Sequence, residues 1–268
     1  MGMRVRGRLT GLGVTAAAVT AIATVSGMTG ASASVAKPLE IAKPATAAAV
    51  TAPAWTAPKQ TLREGETGAA VKSLQERLNS LKYYAGPDDG KFGNDTLEAV
   101  WAFQEVNHLT VNGVVGSVTQ RFLEHPRSYT PNDPHKVADR VEVNLGLGVL
   151  VLYINHEIAL ISHVSTGGHY YFNGGDYAKT PTGRFHALYY VSGWDQGPLG
   201  AMYNPTFFNY DGDAIHGDTA VPLAPVSHGC VRLPMDVAAF FHKYLHITEK
   251  PGAGTEIWIY DQWNKWTQ

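Results

Sequence analysis

Downstream of Leu62 the apolar positions of the chain follow first a helical period and then a strand period. In AAVKSLQERLNSL, Val71, Leu74, Leu78 and Leu81 recur at helical spacing with charged positions opposite, which predicts an amphipathic helix. DTLEAVWAFQEVNHL predicts a second, with Leu97, Val100, Trp101 and Phe103 as its apolar mass and Asp95 and Glu98 at capping-box spacing. SVTQRFLEH predicts a short third helix. Two stretches echo each other, DGKFGNDT at 89–96 and NGVVGSVT at 112–119. Each joins Asp/Asn-Gly to a second Gly and a Thr, a tight turn that feeds a helix start. The pattern predicts a compact three-helix module over residues 61–127, without a dense cluster of His, Cys and carboxylates.

A polar, Pro-containing joint (128–138) follows, and the period then becomes that of strands. RVEVNLGLGVLVLYINHEIALISHVSTGG reads as successive strands with an Asn155-His156 turn between two apolar runs. RFHALYYVS and TEIWIY add further strands. One helix interrupts them, PMDVAAFFHKYL, with Pro234 near its first position and Val237, Phe240, Phe241, Tyr244 and Leu245 on one face. A mostly-β domain over 139–262 is expected, giving a two-domain α+β chain.

Upstream of Leu62 neither period holds. Residues 34–60 alternate Ala, Pro, Thr and Val and read as an extended tether, in which Trp55, a lone aromatic, is expected to be incidental. Residues 1–33 begin with Arg4, Arg6 and Arg8, continue as an uncharged Ala/Val/Thr-rich run and end on Ala31-Ser32-Ala33, the pattern of a cleaved export signal. Gly11, Gly13, Gly27 and Gly30 make the run a poor permanent span, so no stable membrane span is expected after cleavage.

Composition changes this picture little. Hydrophobic content of 44% and charged content of 16% over 268 residues suit a globular chain. The formal charge of −2 moves three units further negative once the leader's arginines are removed, and no basic stripe stands out, so nucleic acid is not an expected partner.

Candidate chemistry gathers in PVSHGCVRLP, residues 225–234, which holds the single cysteine of the sequence. One cysteine makes no internal disulfide, so Cys230 is either a small buried hydrophobe or a reagent. His228 lies two residues before it and His216 fourteen before, the latter at the end of an apparent strand, DAIHGD. A thiol is only a few per cent ionised at neutral pH, and a neighbouring imidazole both lowers its pKa and accepts its proton. Gly217 and Gly229 let backbone approach a bound group, and N–H donors in the turn holding Cys230 suit a developing oxyanion. That set fits acyl transfer through a thioester. Arg232 has an ordinary role open to it, pairing with a carboxylate or carbonyl. A zinc peptidase or amidase using His216, His228 and Cys230 as ligands is an alternative, although the chain has no HExxH helix. An exported protein whose β domain has no activity is another.

Two family resemblances sharpen these readings. LREGETGAAVKSLQERLNSLKYYAGPDDGKFGNDTLEAVWAFQEVNHLTVNGVVGSVT resembles the small peptidoglycan-binding domain of bacterial cell-wall enzymes, departing from it at Lys82, where glycine is usual, and at Asn112, where aspartate is. Wall binding is what that resemblance implies. STGG (165–168), TPTGRF (180–185), IHG (215–217), SHGCVRL (227–233) and the closing GTEIWIY together resemble the L,D-transpeptidase (YkuD-like) catalytic domain. That resemblance implies a β-sandwich-like fold with a cleft and flap, Cys230 as nucleophile and His216 as general base. It implies that Ser227, His228, Gly229 and Arg232 shape the oxyanion site and position the donor. It further implies a wall-located, cofactor-free and metal-free monomer acting on a donor tetrapeptide and an acceptor stem of peptidoglycan. D-Alanine would be released and a 3→3 cross-link formed, with L,D-carboxypeptidase activity of the same site as an alternative. The flap is expected at 193–212, where Tyr203, Phe207, Phe208 and Tyr210 either close over a peptide or simply pack. Thr180-Pro181-Thr182-Gly183 is expected as a structural turn below the cleft. Only ten residues (217–226) separate His216 from Ser227, short for this family, which leaves the shape of that connection open.

Overall fold

The computed structural model describes residues 55–132 and 137–260. The expected leader and all but the last residues of the tether lie outside the described residues. Three helices form the first part: α1 (Ala69–Ser80), α2 (Asn94–Val106) and α3 (Ser117–Glu124). The echo between the two turn sequences is structural. Gln75, on α1, donates its side-chain amide to Asp89 Oδ1, the Lys91 carbonyl and Thr96 Oγ1, at 3.0–3.1 Å, and accepts the Gly90 N–H at 2.8 Å. Gln104, on α2, repeats the pattern with Asn112 Oδ1, the Val114 carbonyl and Thr119 Oγ1, and accepts the Asn112 and Gly113 N–H groups, each at 3.0 Å. Both glutamines are buried, and each saturates a turn whose glycine sits near φ 70°. Lys82 holds a left-handed φ of 73°, the conformation for which glycine is the ordinary choice.

Two local expectations are corrected. Asp95 does not close a capping box: α2 starts one residue earlier, its N-cap is Gly93, and no side chain caps it. Asp95 instead shares a hydrogen bond with Asp236. Trp55 is not incidental. Its indole N–H reaches the Ser73 carbonyl and hydroxyl at 3.1 and 3.0 Å, and its ring packs on the helical core.

The second part contains β1 (Arg140–Asn144), β2 (Val149–Ile154), β3 (Glu157–His163), β4 (Tyr171–Phe172), β5 (Asp176–Tyr177), β6 (Gly183–His186), β7 (Tyr189–Tyr190), β8 (Trp194–Gly197), β9 (Gly200–Phe207), β10 (Ala214–Asp218), β11 (Val231–Pro234), α4 (Met235–Phe241) and β12 (Glu256–Tyr260). One sheet runs β3-β2-β1-β12-β6 and the other β11-β10-β9-β7, with β8 paired to β9 and β4-β5 as a separate hairpin. Asn155 and His156 both have positive φ, 51° and 68°, so the β2–β3 turn is the two-residue type that fits strand twist.

Every residue of β1 and β2 is buried, and strand alternation divides them between two cores. Val141, Val143, Leu150 and Leu152 face the sandwich interior with Ile215, Val231, Phe240 and Ile257. Val149, Val151, Tyr153 and Ile161 belong to the same cluster as Leu74, Leu78, Phe103 and Val106 of the helices. At about 2 kcal/mol for each fully buried large apolar side chain, this shared layer is a substantial bond between the two parts. Backbone reinforces it, for the Ile161 N–H donates to the Lys82 carbonyl at 2.8 Å.

Candidate active site

The parallel pairing of β10 with β11 assembles the centre of the site. Its register places Ile215 opposite Val231 and His216 opposite Arg232. Cys230 stands two residues before Arg232, so alternation along the extended chain delivers sulfur, imidazole and guanidinium to one face. All three line a cleft of about 730 Å³, together with Ser227, His228 and Gly229. Folding, not sequence adjacency, joins His216 to the cysteine segment.

Segment 163–168, continuing from β3, grips both ends of that motif. Ser165 and Arg232 exchange backbone hydrogen bonds at 3.2 and 2.8 Å. The Ser227 N–H donates to the Thr166 carbonyl, and the Gly168 N–H to the Ser227 carbonyl, both at 2.9 Å. Ser227 Oγ donates to the Cys230 carbonyl at 2.6 Å and closes the turn that presents the sulfur. The buried Thr180 accepts the Gly167 N–H at 2.8 Å, so the Thr180–Gly183 stretch braces this segment from the far side.

His216 is 4% exposed, and its Nδ1 donates to the Gly217 carbonyl at 2.9 Å. With Nδ1 carrying the proton, the lone pair of the neutral ring is on Nε2. Burial lowers its pKa, opposed by the Gly217 hydrogen bond and the Asp218 charge. The half-buried Cys230 has a thiol whose pKa is pushed up to about 11 by desolvation, the backbone N–H of Ala214 working against it and the charge of Asp213 adding to it. The sequence leads one to expect a thiol lowered by its imidazole neighbour. Structure instead gives a resting pair with both partners neutral, because each is shielded from water.

The protein's own packing requires both glycines. A Cβ on Gly217 would stand 2.8 Å from Ala238 Cβ, and one on Gly229 would stand 2.2 Å from Asp213 Oδ1. Asp213 is a site residue that the sequence reading missed. It lines the cleft beside Cys230 and accepts from Asn209 Nδ2 at 2.7 Å. Arg232 Nε lies 3.3 Å from Asp218 Oδ2, an ion pair without hydrogen-bond alignment.

The expected flap segment forms the β8–β9 hairpin, and its Trp194–Met202 stretch lines the cleft. Its aromatic residues divide. Phe207 lines the cleft while stacked 4.3 Å from Tyr189. Phe208 is buried against Phe185 in the sandwich core, and Tyr203 packs on the same core with its ring under Gly217. Tyr210 is 73% exposed with its hydroxyl directed at the Glu249 carbonyl. A second hairpin, β4–β5, lies against His228 of the motif. Tyr170 and Phe172 stand edge-on to His228 at 5.8 and 4.6 Å, and the Tyr170 hydroxyl donates to the Val226 carbonyl. HYYFNGGDY carries no strand period long enough to reveal it; only the density of aromatic residues marks it.

Comparison with known proteins places these features. The family model for the L,D-transpeptidase catalytic domain matches residues 138–265, and that for a peptidoglycan binding domain matches 67–123. A crystal structure described as an L,D-transpeptidase from Xylanimonas cellulosilytica is 32% identical, with a TM-score of 0.67 over 75% of this chain and 98% of that one. An uncharacterized protein of Kitasatospora aureofaciens is 43% identical over 68 residues, 25% of this chain and 58% of its own. A spore cortex-lytic enzyme of Bacillus cereus is 35% identical over 77 residues, 29% of this chain and 30% of its own. This chain therefore spans less than two thirds of the length of either curated relative. The near-complete coverage of the Xylanimonas structure, over a sandwich that joins His216 to the Ser227–Arg232 motif, settles the kinship: the chain belongs to the L,D-transpeptidase family.

Proposed function

We propose that the protein is a peptidoglycan L,D-transpeptidase that forms 3→3 cross-links, with Cys230 as nucleophile and His216 as general base. The observation that carries this reading is the common cleft face of the two side chains, with His216 Nδ1 tied to the Gly217 carbonyl and Nε2 left as the base. As Cys230 Sγ attacks the carbonyl carbon between a stem diamino acid and its terminal D-alanine, the thiol proton passes to His216 Nε2. The C–N bond breaks, the D-alanine amine leaves with that proton, and an acyl-thioester remains. A side-chain amine of a second stem then attacks the thioester and gives its proton to the imidazole, and the sulfur departs and recovers the proton. Ser227 and Gly229 shape the turn behind the sulfur, while His228 and Arg232 line the donor's path. The leader over 1–33 directs the chain out of the cell, and the helical module over 61–127 holds it on the wall as a monomer.

Intact-mass measurement with a carbapenem, a strained amide, tests the assignment. A single adduct is expected on the unmodified chain and none on Cys230→Ala; an adduct that persists in the variant sinks the reading. With purified tetrapeptide, the expected product is a cross-linked dimer that has lost one D-alanine.

A further inference from the structure

The connection from β10 to the cysteine motif is held at alternate carbonyls. His163 Nε2 lies 3.3 Å from the Pro222 carbonyl, Ser165 Oγ donates to the Ala224 carbonyl at 2.8 Å, and the Tyr170 hydroxyl donates to the Val226 carbonyl at 3.2 Å. All three holders belong to the stretch 163–170, beside which the motif runs. This is how a connection of only ten residues keeps a defined shape.

His163 differs from the other two because it is itself held from outside the β domain. Its Nδ1 lies 2.9 and 3.2 Å from the two carboxylate oxygens of Glu105, a residue of α2 in the peptidoglycan-binding module. The ring is buried, Trp101 of the same helix meets it edge-on at 5.4 Å, and Gly148 leaves room for the carboxylate. Nε2 faces a carbonyl, which only accepts, so Nε2 carries a hydrogen, and a second proton is held between Nδ1 and the Glu105 carboxyl. Burial raises the pKa of Glu105, while the charge and hydrogen bond of His163 lower it. Burial works against charge on His163, but Glu105, with Glu98 nearby, outweighs it and holds the His163 pKa above its ordinary value.

We propose that Glu105 is a positioning residue for the cysteine motif: by orienting His163 it fixes the Pro222 carbonyl, and with it the segment that delivers Ser227 to Cys230. The helical module thereby takes part in the reaction as well as in holding the wall. This rests on Cys230 being the nucleophile. Displacement of a reacting group by about 1 Å costs roughly a hundredfold in rate, so the proposal is quantitative.

Glu105→Leu removes the acceptor and leaves the buried His163 without its partner, a change that destabilises a buried pair, so the fold of this variant is checked first by circular dichroism. Carbapenem acylation of this variant at saturating concentration is expected to slow at least about tenfold, with its half-saturating concentration and wall binding little changed. Glu105→Gln is expected to restore most of the rate. Its amide N–H donates to Nδ1 of a neutral ring, whose Nε2–H still reaches Pro222. A folded Glu105→Leu chain that acylates within about twofold of the unmodified protein overturns the proposal. Should that variant not fold, nitrogen-15 spectra of histidine-labelled unmodified protein decide it: a hydrogen-bonded Nε2–H on His163 at neutral pH is expected, and its absence overturns the proposal. Failure of the unmodified chain to be acylated at Cys230 would instead defeat the catalytic assignment, and the spectra would still read the contact.

Discussion

His216 stands directly across the parallel β10–β11 ladder from Arg232, and through that register the cleft receives the Cys230 sulfur and the His216 imidazole on one face. The pair rests neutral, because burial raises the thiol and lowers the imidazole. Alkylation of Cys230 by iodoacetamide is therefore expected to be slow at pH 7 and to climb steadily toward the thiol's pKa of about 11. Asp213 contributes to that elevation by its charge, so Asp213→Asn is expected to shift the whole profile to lower pH. Rates followed by mass spectrometry over a pH series check both; a profile that moves upward in the variant contradicts the charge assignment.

The two glycines of the site are expected to fail differently. Gly229→Ala drives a methyl into Asp213 beside the sulfur and should cost at least about a hundredfold in acylation rate. Gly217→Ala presses on Ala238 of α4, and its main effect should be a stability loss of about 1–3 kcal/mol. Acylation kinetics and chemical denaturation, run on both variants, separate the outcomes.

Asp95, which lies against Asp236, has its pKa pushed up to about 7 by burial and then by that carboxyl neighbour. A raised carboxylate means that the folded chain holds the proton more tightly than the unfolded chain does. Its contribution is fully present below the ordinary value of 3.8 and is lost as pH rises through about 7. Asp95→Asn should flatten the decline in melting temperature over that window and melt a few degrees higher than the unmodified chain at pH 8. Glu98, also raised to about 7 mainly by burial, accounts for the slope that remains.

The paired glutamines offer a test of the turn architecture. Gln104→Leu leaves the Asn112 and Gly113 N–H groups without their side-chain acceptor, and should destabilise the module by about 3 kcal/mol. Gln75→Leu, its counterpart at the first turn, should cost a similar amount in equilibrium unfolding; a near-zero effect at either position contradicts the equivalence of the two turns.

Legibility from the sequence followed the range of the signal. The helices over Ala69–Ser80 and Asn94–Val106 and the Asn155-His156 turn were readable because period and turn chemistry are local. The kinship was readable because the SHGCVRL and IHG motifs are short and specific. What stayed hidden was settled across long separations. Glu105 and His163 are 58 positions apart, and each alone resembles an ordinary surface charge. Asp95 has the spacing of a cap, yet its partner is on another helix entirely. Asp213 shares an irregular stretch with Asp211, where nothing in the pattern separates a cleft-lining carboxylate from a solvated one. The elevated thiol pKa was hidden for the same reason, since desolvation belongs to the assembled surroundings and not to the neighbours in sequence.

The apolar layer in which Tyr153 and Ile161 fill the interior of the helical module while their strand neighbours fill that of the sandwich has a mechanical consequence. Under the proposed function, anchor and nucleophile travel as one piece, so a foothold on the glycan mesh would also set the radius within which the sulfur can work. Search would then proceed by moving the foothold, and not by swinging a catalytic head on a leash.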